Sequence, residues 1–194
     1  EKLAAPNFYP MVRGRLSLIN DHPVSAEDYP EQRTKRLVER EFNLSWAEQQ
    51  RSDYKLVAGR WWRATEAQDQ FSVEQGLAKA LNIKLGDRLS YDIAGTRLTG
   101  RVTSLRDVAW DGMQVNFFVI GTPAMLQAQP ANYITSFHLP SGQEALLNRM
   151  LQQFPNFTVI DVAAIIGDVR LIMARVSDAV TFVFLFTLLA GLVV

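Results

Sequence analysis

Cysteine is absent from the chain, which excludes a disulfide scaffold, a thiolate metal site and a cysteine nucleophile. Net charge is absent too. Twenty basic residues balance twenty acidic ones, so there is no electrostatic footprint for nucleic acid. Histidine is scarce. His22 precedes a proline in a polar loop and His138 sits late in a strand pattern; both read as structural or surface side chains. None of the hydrolase, zincin or phosphate-loop signatures occurs, and no cofactor is implied. Asp107 and Asp111 flank Trp110 before a glycine. Such acids more often cap turns than pair on a metal. Glu1 to Pro6 hold no apolar stretch of the kind a signal peptide needs.

What is present is concentrated at the other end. Ala179 to Val194 reads AVTFVFLFTLLAGLVV, without a charge, and eleven of its residues are Val, Phe or Leu. On an insertion scale these contribute roughly −3 to −6 kcal/mol. The run is shorter than the ~20 residues of a full crossing and has no polar flank, as expected of a span cut from a longer chain. A buried core helix is the alternative, but such a helix keeps a polar stripe.

Before that run, the pattern is α+β. Met11 to Ile19 alternates, with Val12, Gly14, Leu16 and Leu18 on one face, which predicts a half-buried strand. Glu31 to Arg40 predicts a short helix, and Phe42, Leu44 and Trp46 a second strand. Tyr54 to Trp62 has no clean period. Val73 to Leu81 predicts a short helix. Leu89 to Ile93 and Leu98 to Val108 predict a hairpin turning at Ala94-Gly95. Further strands are expected at Val115–Ile120, Tyr133–Leu139 and Phe157–Ile160. Thr122-Pro123 opens a short helix. Ser141 to Glu144 reads as a capping box before another. Phe117 and Phe118 are expected in the core.

Asp161 caps a helix with no visible stop. Ile165, Ile166, Val169, Ile172, Met173 and Val176 form one stripe, interrupted around the helix by Asp168, Arg170, Arg175 and Asp178. Continuous to the end, this helix would rise about 50 Å. The expected organisation is an α+β domain over residues 1–160, in one or two lobes, with a mixed or antiparallel sheet and short packing helices. Residues 161–194 follow as a stalk that enters the membrane. Asp161, Arg170, Arg175 and Asp178 mark the stalk. Trp61-Trp62 between Arg60 and Arg63 is the candidate contact for a partner or lipid headgroups. Its plainer reading is one tryptophan in the core with the arginines solvating an edge.

Two stretches carry a family likeness. Ser72, Leu77, Ala78, Leu81, Ile83, Leu85, Gly86 and Asp87 resemble the helix–hairpin signature in the periplasmic domains of FtsX/MacB-type permeases of ATP-binding-cassette systems. Residues 110–140 resemble the YbbP-like branch. The matching features are Trp110, Asn116-Phe117-Phe118, Pro123, Pro130-Ala131, the run from Tyr133 to Phe137, and Pro140. Pro10, Val12, Arg13, Leu16 and Asn20 fit the same branch, and the likeness covers residues 6–194. Ala124 stands where the family usually has glycine.

The resemblance implies a bacterial inner-membrane permease with this MacB-like domain in the periplasm, and a cytoplasmic ATPase subunit as partner. It also implies a mechanical stroke passed through the membrane to the domain. Substrates in the family are lipoproteins, peptides and other amphiphiles. A scaffold that docks or activates a periplasmic enzyme is the second expectation. An anchored envelope hydrolase is the third, disfavoured by the missing catalytic constellation. Transport predicts an apolar groove, and a scaffold predicts an exposed aromatic patch.

Overall fold

The structure is a computed structural model that describes residues 7–193 apart from 65, 67, 68, 111, 113 and 141. The chain divides into two compact units, Glu1–His138 and Leu139–Val194.

The described residues of the first unit contain nine strands: β1 (Tyr9–Ile19), β2 (His22–Pro23), β3 (Phe42–Trp46), β4 (Lys55–Gly59), β5 (Gln70–Glu74), β6 (Arg88–Ile93), β7 (Thr96–Asp107), β8 (Val119–Gly121) and β9 (Asn132–Ile134). Among the described residues, three α-helices accompany them, α1 (Gln32–Glu39), α2 (Gln75–Ala80) and α3 (Pro123–Leu126), with a single 3-10 turn at Ala26–Asp28. The mixed sheet of the expected α+β class is present. Its pairings also close on themselves, which alternation along single strands did not foretell. β1 pairs with β3, β3 with β8, β8 with β5, β5 with β7, β7 with β6, and β6 again with β1. The β3–β8 and β5–β7 pairs are parallel and the other four antiparallel. β4 extends β7, while β2 and β9 extend β1.

All six ring strands send side chains into one core, including Leu16, Leu44, Phe71, Leu89, Val102 and Val119, each at most 1% exposed. Tyr91 packs edge-on against Phe42 at 6.2 Å and Phe71 at 5.5 Å. Each such large side chain contributes roughly 1.5–3 kcal/mol by leaving water. Val38 of α1, Leu77 of α2 and Met125 of α3 join the same cluster. Gly14 keeps the wall tight: a Cβ there would stand 2.6 Å from Leu44 and 2.9 Å from Ile93.

Four expectations are corrected. Val73 does not begin a helix. Residues 70–74 are β5, buried at every position between two neighbours. A strand covered on both faces shows no alternation. Glu74 ends it by turning its carboxylate to accept from the N–H groups of Gly76 and Leu77, both at 2.7 Å, and so caps α2. The aperiodic 54–62 stretch contains β4. The strands near 115 and 133 shorten to β8 and β9. Residues 157–160 form no strand, since no ladder partner reaches them among the described residues. The hairpin holds as read, with Ala94 (φ 50°) and Gly95 (φ 84°) supplying the two left-handed positions of its turn.

The second unit holds α4 (Glu144–Gln153) and α5 (Val162–Val193). Ser141 of the expected capping box lies outside the described residues. Thirty-two residues of α5 run without interruption, about 48 Å.

Candidate functional site

A second core gathers Tyr54, Trp62, Val108, Phe117 and Ile120, with Trp61 packed at its margin. The tryptophan pair belongs here. Trp62 is 5% exposed and its indole N–H donates to the Ala47 carbonyl at 3.0 Å. Trp61 donates to the Glu48 carbonyl at 3.2 Å, and the two rings lie 4.3 Å apart. Together they pin residues 47–48. Arg60 is exposed and paired with Glu66 at 2.8 Å, which lowers the Glu66 pKa mainly through that hydrogen bond. Arg63 is exposed. Trp62 therefore belongs to the core, Trp61 is half-buried at its margin, and Arg60 and Arg63 are exposed.

Arg51 ties the same region together. It binds Asp53 through two hydrogen bonds, of 2.9 and 2.6 Å, and donates to the Val115 carbonyl at 2.7 Å. Its guanidinium lies over the rings of Tyr9 and Tyr54. Burial pulls its pKa down, but Asp53 and the neighbouring tyrosines outweigh that and raise it.

Deeper still is Arg106, fully buried. It donates to the carbonyls of Ser72 and Phe117, and sits 5.1 Å from the Tyr54 ring centroid. Burial lowers its pKa to about 10. Its Nε has no partner among the described atoms. Arg106 thus joins β5, β7 and the approach to β8. Sequence reasoning passed over it, though alternation from Val102 through Ser104 points it inward.

The aspartates and histidines do not converge. Asp107 accepts from the adjacent Val108 N–H at 3.1 Å, and Asp111 lies outside the described residues. His22 and His138 are both exposed. Phe117 is core as expected. Phe118 is half-buried and carries the exposed Trp110 ring at 4.5 Å. An open depression of about 300 Å³ lies beside β2. Its apolar Ile19, Val24 and Leu81 are interrupted by Asn20, Asp28 and Asp87, so it is not the apolar trough expected of an acyl-chain site.

In the second unit, Asp161 accepts from the Ala164 N–H at 3.0 Å and caps α5 as read. α5 runs on through the polar interruptions between Asp168 and Asp178. Arg170, Arg175 and Asp178 are exposed around the helix, as is the apolar stripe. Thr181 and Thr187 return their hydroxyls to the carbonyls of Ser177 and Phe184, each at 2.8 Å. Both hydroxyls are thus satisfied within the helix, as a lipid environment demands. Val162–Leu188 is long and apolar enough to cross a membrane, and none of it is buried.

No family model matches the chain. A curated relative, the uncharacterized ABC transporter permease YbbP of Escherichia coli (strain K12), is 34% identical over 168 residues, 87% of this chain. The chain spans 20% of that relative's length. A crystal structure described as a domain of a permease protein from Porphyromonas gingivalis overlaps 84% of this chain and 75% of its own. At 11% identity and a TM-score of 0.38, that likeness carries no argument here. The kinship with YbbP-like permeases read from residues 72–140 is shown by the curated relative.

Proposed function

We propose that this chain, a homologue of the ABC transporter permease YbbP over most of its length, is a periplasmic domain coupled by α5 to the bacterial inner membrane. A separate cytoplasmic subunit would hydrolyse ATP. The stroke would pass along the helix to act on a hydrophobic or lipid-linked substrate at the outer membrane face. The observation that carries this reading is the unbroken α5, which has a capped polar start and an apolar end. A continuous helix transmits displacement, whereas a break would absorb it. The ring interior is filled by side chains, so a substrate would be handled on the domain's surface rather than threaded through it.

The test needs the full-length permease with its ATPase in nanodiscs. Cysteines introduced at Ser52 and Ser177 would carry spin labels. ATP is expected to change the label distance. Val169→Pro should abolish that change while ATP hydrolysis persists, and Val169→Leu should preserve it. An unchanged response in the proline variant would sink the coupling reading.

The scaffold reading keeps one observation in its favour. Phe8, Tyr133 and Phe137 are exposed near the β1–β9 pair. Loss of a co-purifying envelope protein on Tyr133→Ala, with the ATP response intact, would favour it.

A further inference from the structure

The outer face of the strand ring carries a pattern that coupling by α5 does not use. Strand register sets Arg15, Asp92 and Arg97 in one row across β1, β6 and β7. Arg13 precedes Arg15 on the same face of β1. Beyond the Ser90–Thr99 pair, Arg88 stands directly opposite Arg101. All five arginines and Asp92 are exposed. Asp92 is already engaged, accepting from the Gly95 N–H at 3.0 Å in the hairpin turn. Arg88 reaches Asp21 at 3.3 Å. Among the described residues, no ion pair neutralises Arg13, Arg15, Arg97 or Arg101.

Like charges placed directly opposite on a sheet destabilise it. A chain with as many acids as bases has the means to alternate them here, yet Arg88 stands opposite Arg101 with only an exposed contact from Arg88 to Asp21 to offset the repulsion. We infer that this face is a docking surface for an acidic protein partner. All five cations are arginine, whose planar fork binds carboxylates through paired hydrogen bonds. An extended acidic segment repeats its side chains at roughly 6–7 Å on one face, the same repeat as a strand of this wall. A lipid surface is the poorer occupant. Ser90 and Thr99 lie between the arginine rows, Leu18 opposite Ser90 is half-buried, and among the described residues none of the exposed large apolar side chains lies on β1, β6 or β7 to enter a headgroup layer. The inference is independent of the α5 reading, and either can fail alone.

The test uses the full-length permease in nanodiscs of zwitterionic lipid, with a fluorescein-labelled decaglutamate peptide as probe. Anisotropy should report binding at low salt that weakens as salt is raised. Arg97→Glu with Arg101→Glu should weaken it about tenfold or more. Arg33→Glu with Arg36→Glu makes the same charge change on exposed positions of α1 and should leave it unaltered. Arg88→Gln with Arg101→Gln should hold or raise Tm, whereas a structural role for the pair would lower it. Equal losses in the two glutamate variants would overturn the inference. So would absent binding at low salt, or displacement of the peptide by phosphatidylglycerol vesicles.

Discussion

The two units treat large apolar side chains in opposite ways. In the strand ring, Phe71, Leu44 and Leu89 are wholly buried, and even an arginine is sealed inside. Along α5, Phe182, Phe184 and Phe186 are 65–71% exposed. The same residue types are hidden from water in one unit and offered to the surroundings in the other. Composition alone therefore does not say what a segment is built for. The first unit is organised around water outside and a packed interior. The apolar end of α5 makes physical sense only with lipid or protein around it.

Three perturbations would break or sharpen that contrast, beginning with the largest. Arg106→Ala should destabilise the first unit by about 3–5 kcal/mol, because the Ser72 and Phe117 carbonyls lose their donor inside a sealed core. All four tryptophans, Trp46, Trp61, Trp62 and Trp110, lie in that unit, so denaturation followed by tryptophan fluorescence reads it selectively. A loss under about 1 kcal/mol would mean that Arg106 is not the joint described here.

Leu185→Arg should cost about 3 kcal/mol, but only in membrane insertion. A glycosylation-mapping insertion assay should register it while the tryptophan-monitored transition stays in place. A shift in that transition instead would place α5 within a soluble core.

The smallest effect concerns Tyr91, whose buried hydroxyl has no partner among the described atoms. Tyr91→Phe should leave stability at neutral pH unchanged or raise it by about 1 kcal/mol. Burial raises the Tyr91 pKa above its ordinary value of 10.0. The stability tied to its neutral form is therefore fully present below about pH 10 and lost as pH rises past it. The variant should flatten that alkaline loss relative to wild type. Tyr54 shifts in the same direction. Arg106 opposes both, because burial lowers its folded pKa from the ordinary arginine range to about 10. The difference between variant and wild type is thus the quantity to measure.

Much of the fold was legible where one face of an element meets water. β1, β3 and the β6–β7 hairpin betrayed themselves by period, and α1 by its run of charged residues. β5 did not, because both its faces are buried. Its last residue, Glu74, looked like part of a helix that it in fact caps. Residues 157–160 were apolar enough for a strand but have no pairing partner among the described residues, and partners are not written locally. At the candidate site, the plain reading of Trp61-Trp62 foresaw one core tryptophan but not which. Both indoles are fixed by carbonyls fourteen or so residues earlier. The arginine face was invisible for the same reason. Arg15, Asp92 and Arg97 become neighbours only through register.

The C-terminal apolar run needed no tertiary structure to be recognised. Its length, absence of charge and continuity with a capped amphipathic helix are local properties, and a helix satisfies its own backbone. The likeness to YbbP-like permeases was equally a matter of residues in order. Closure of the six-strand ring, burial of Arg106 and the gathering of five arginines on one wall were decided by the fold alone. Each depends on which distant segments pair and in what register, and that choice is made by packing the whole unit at once.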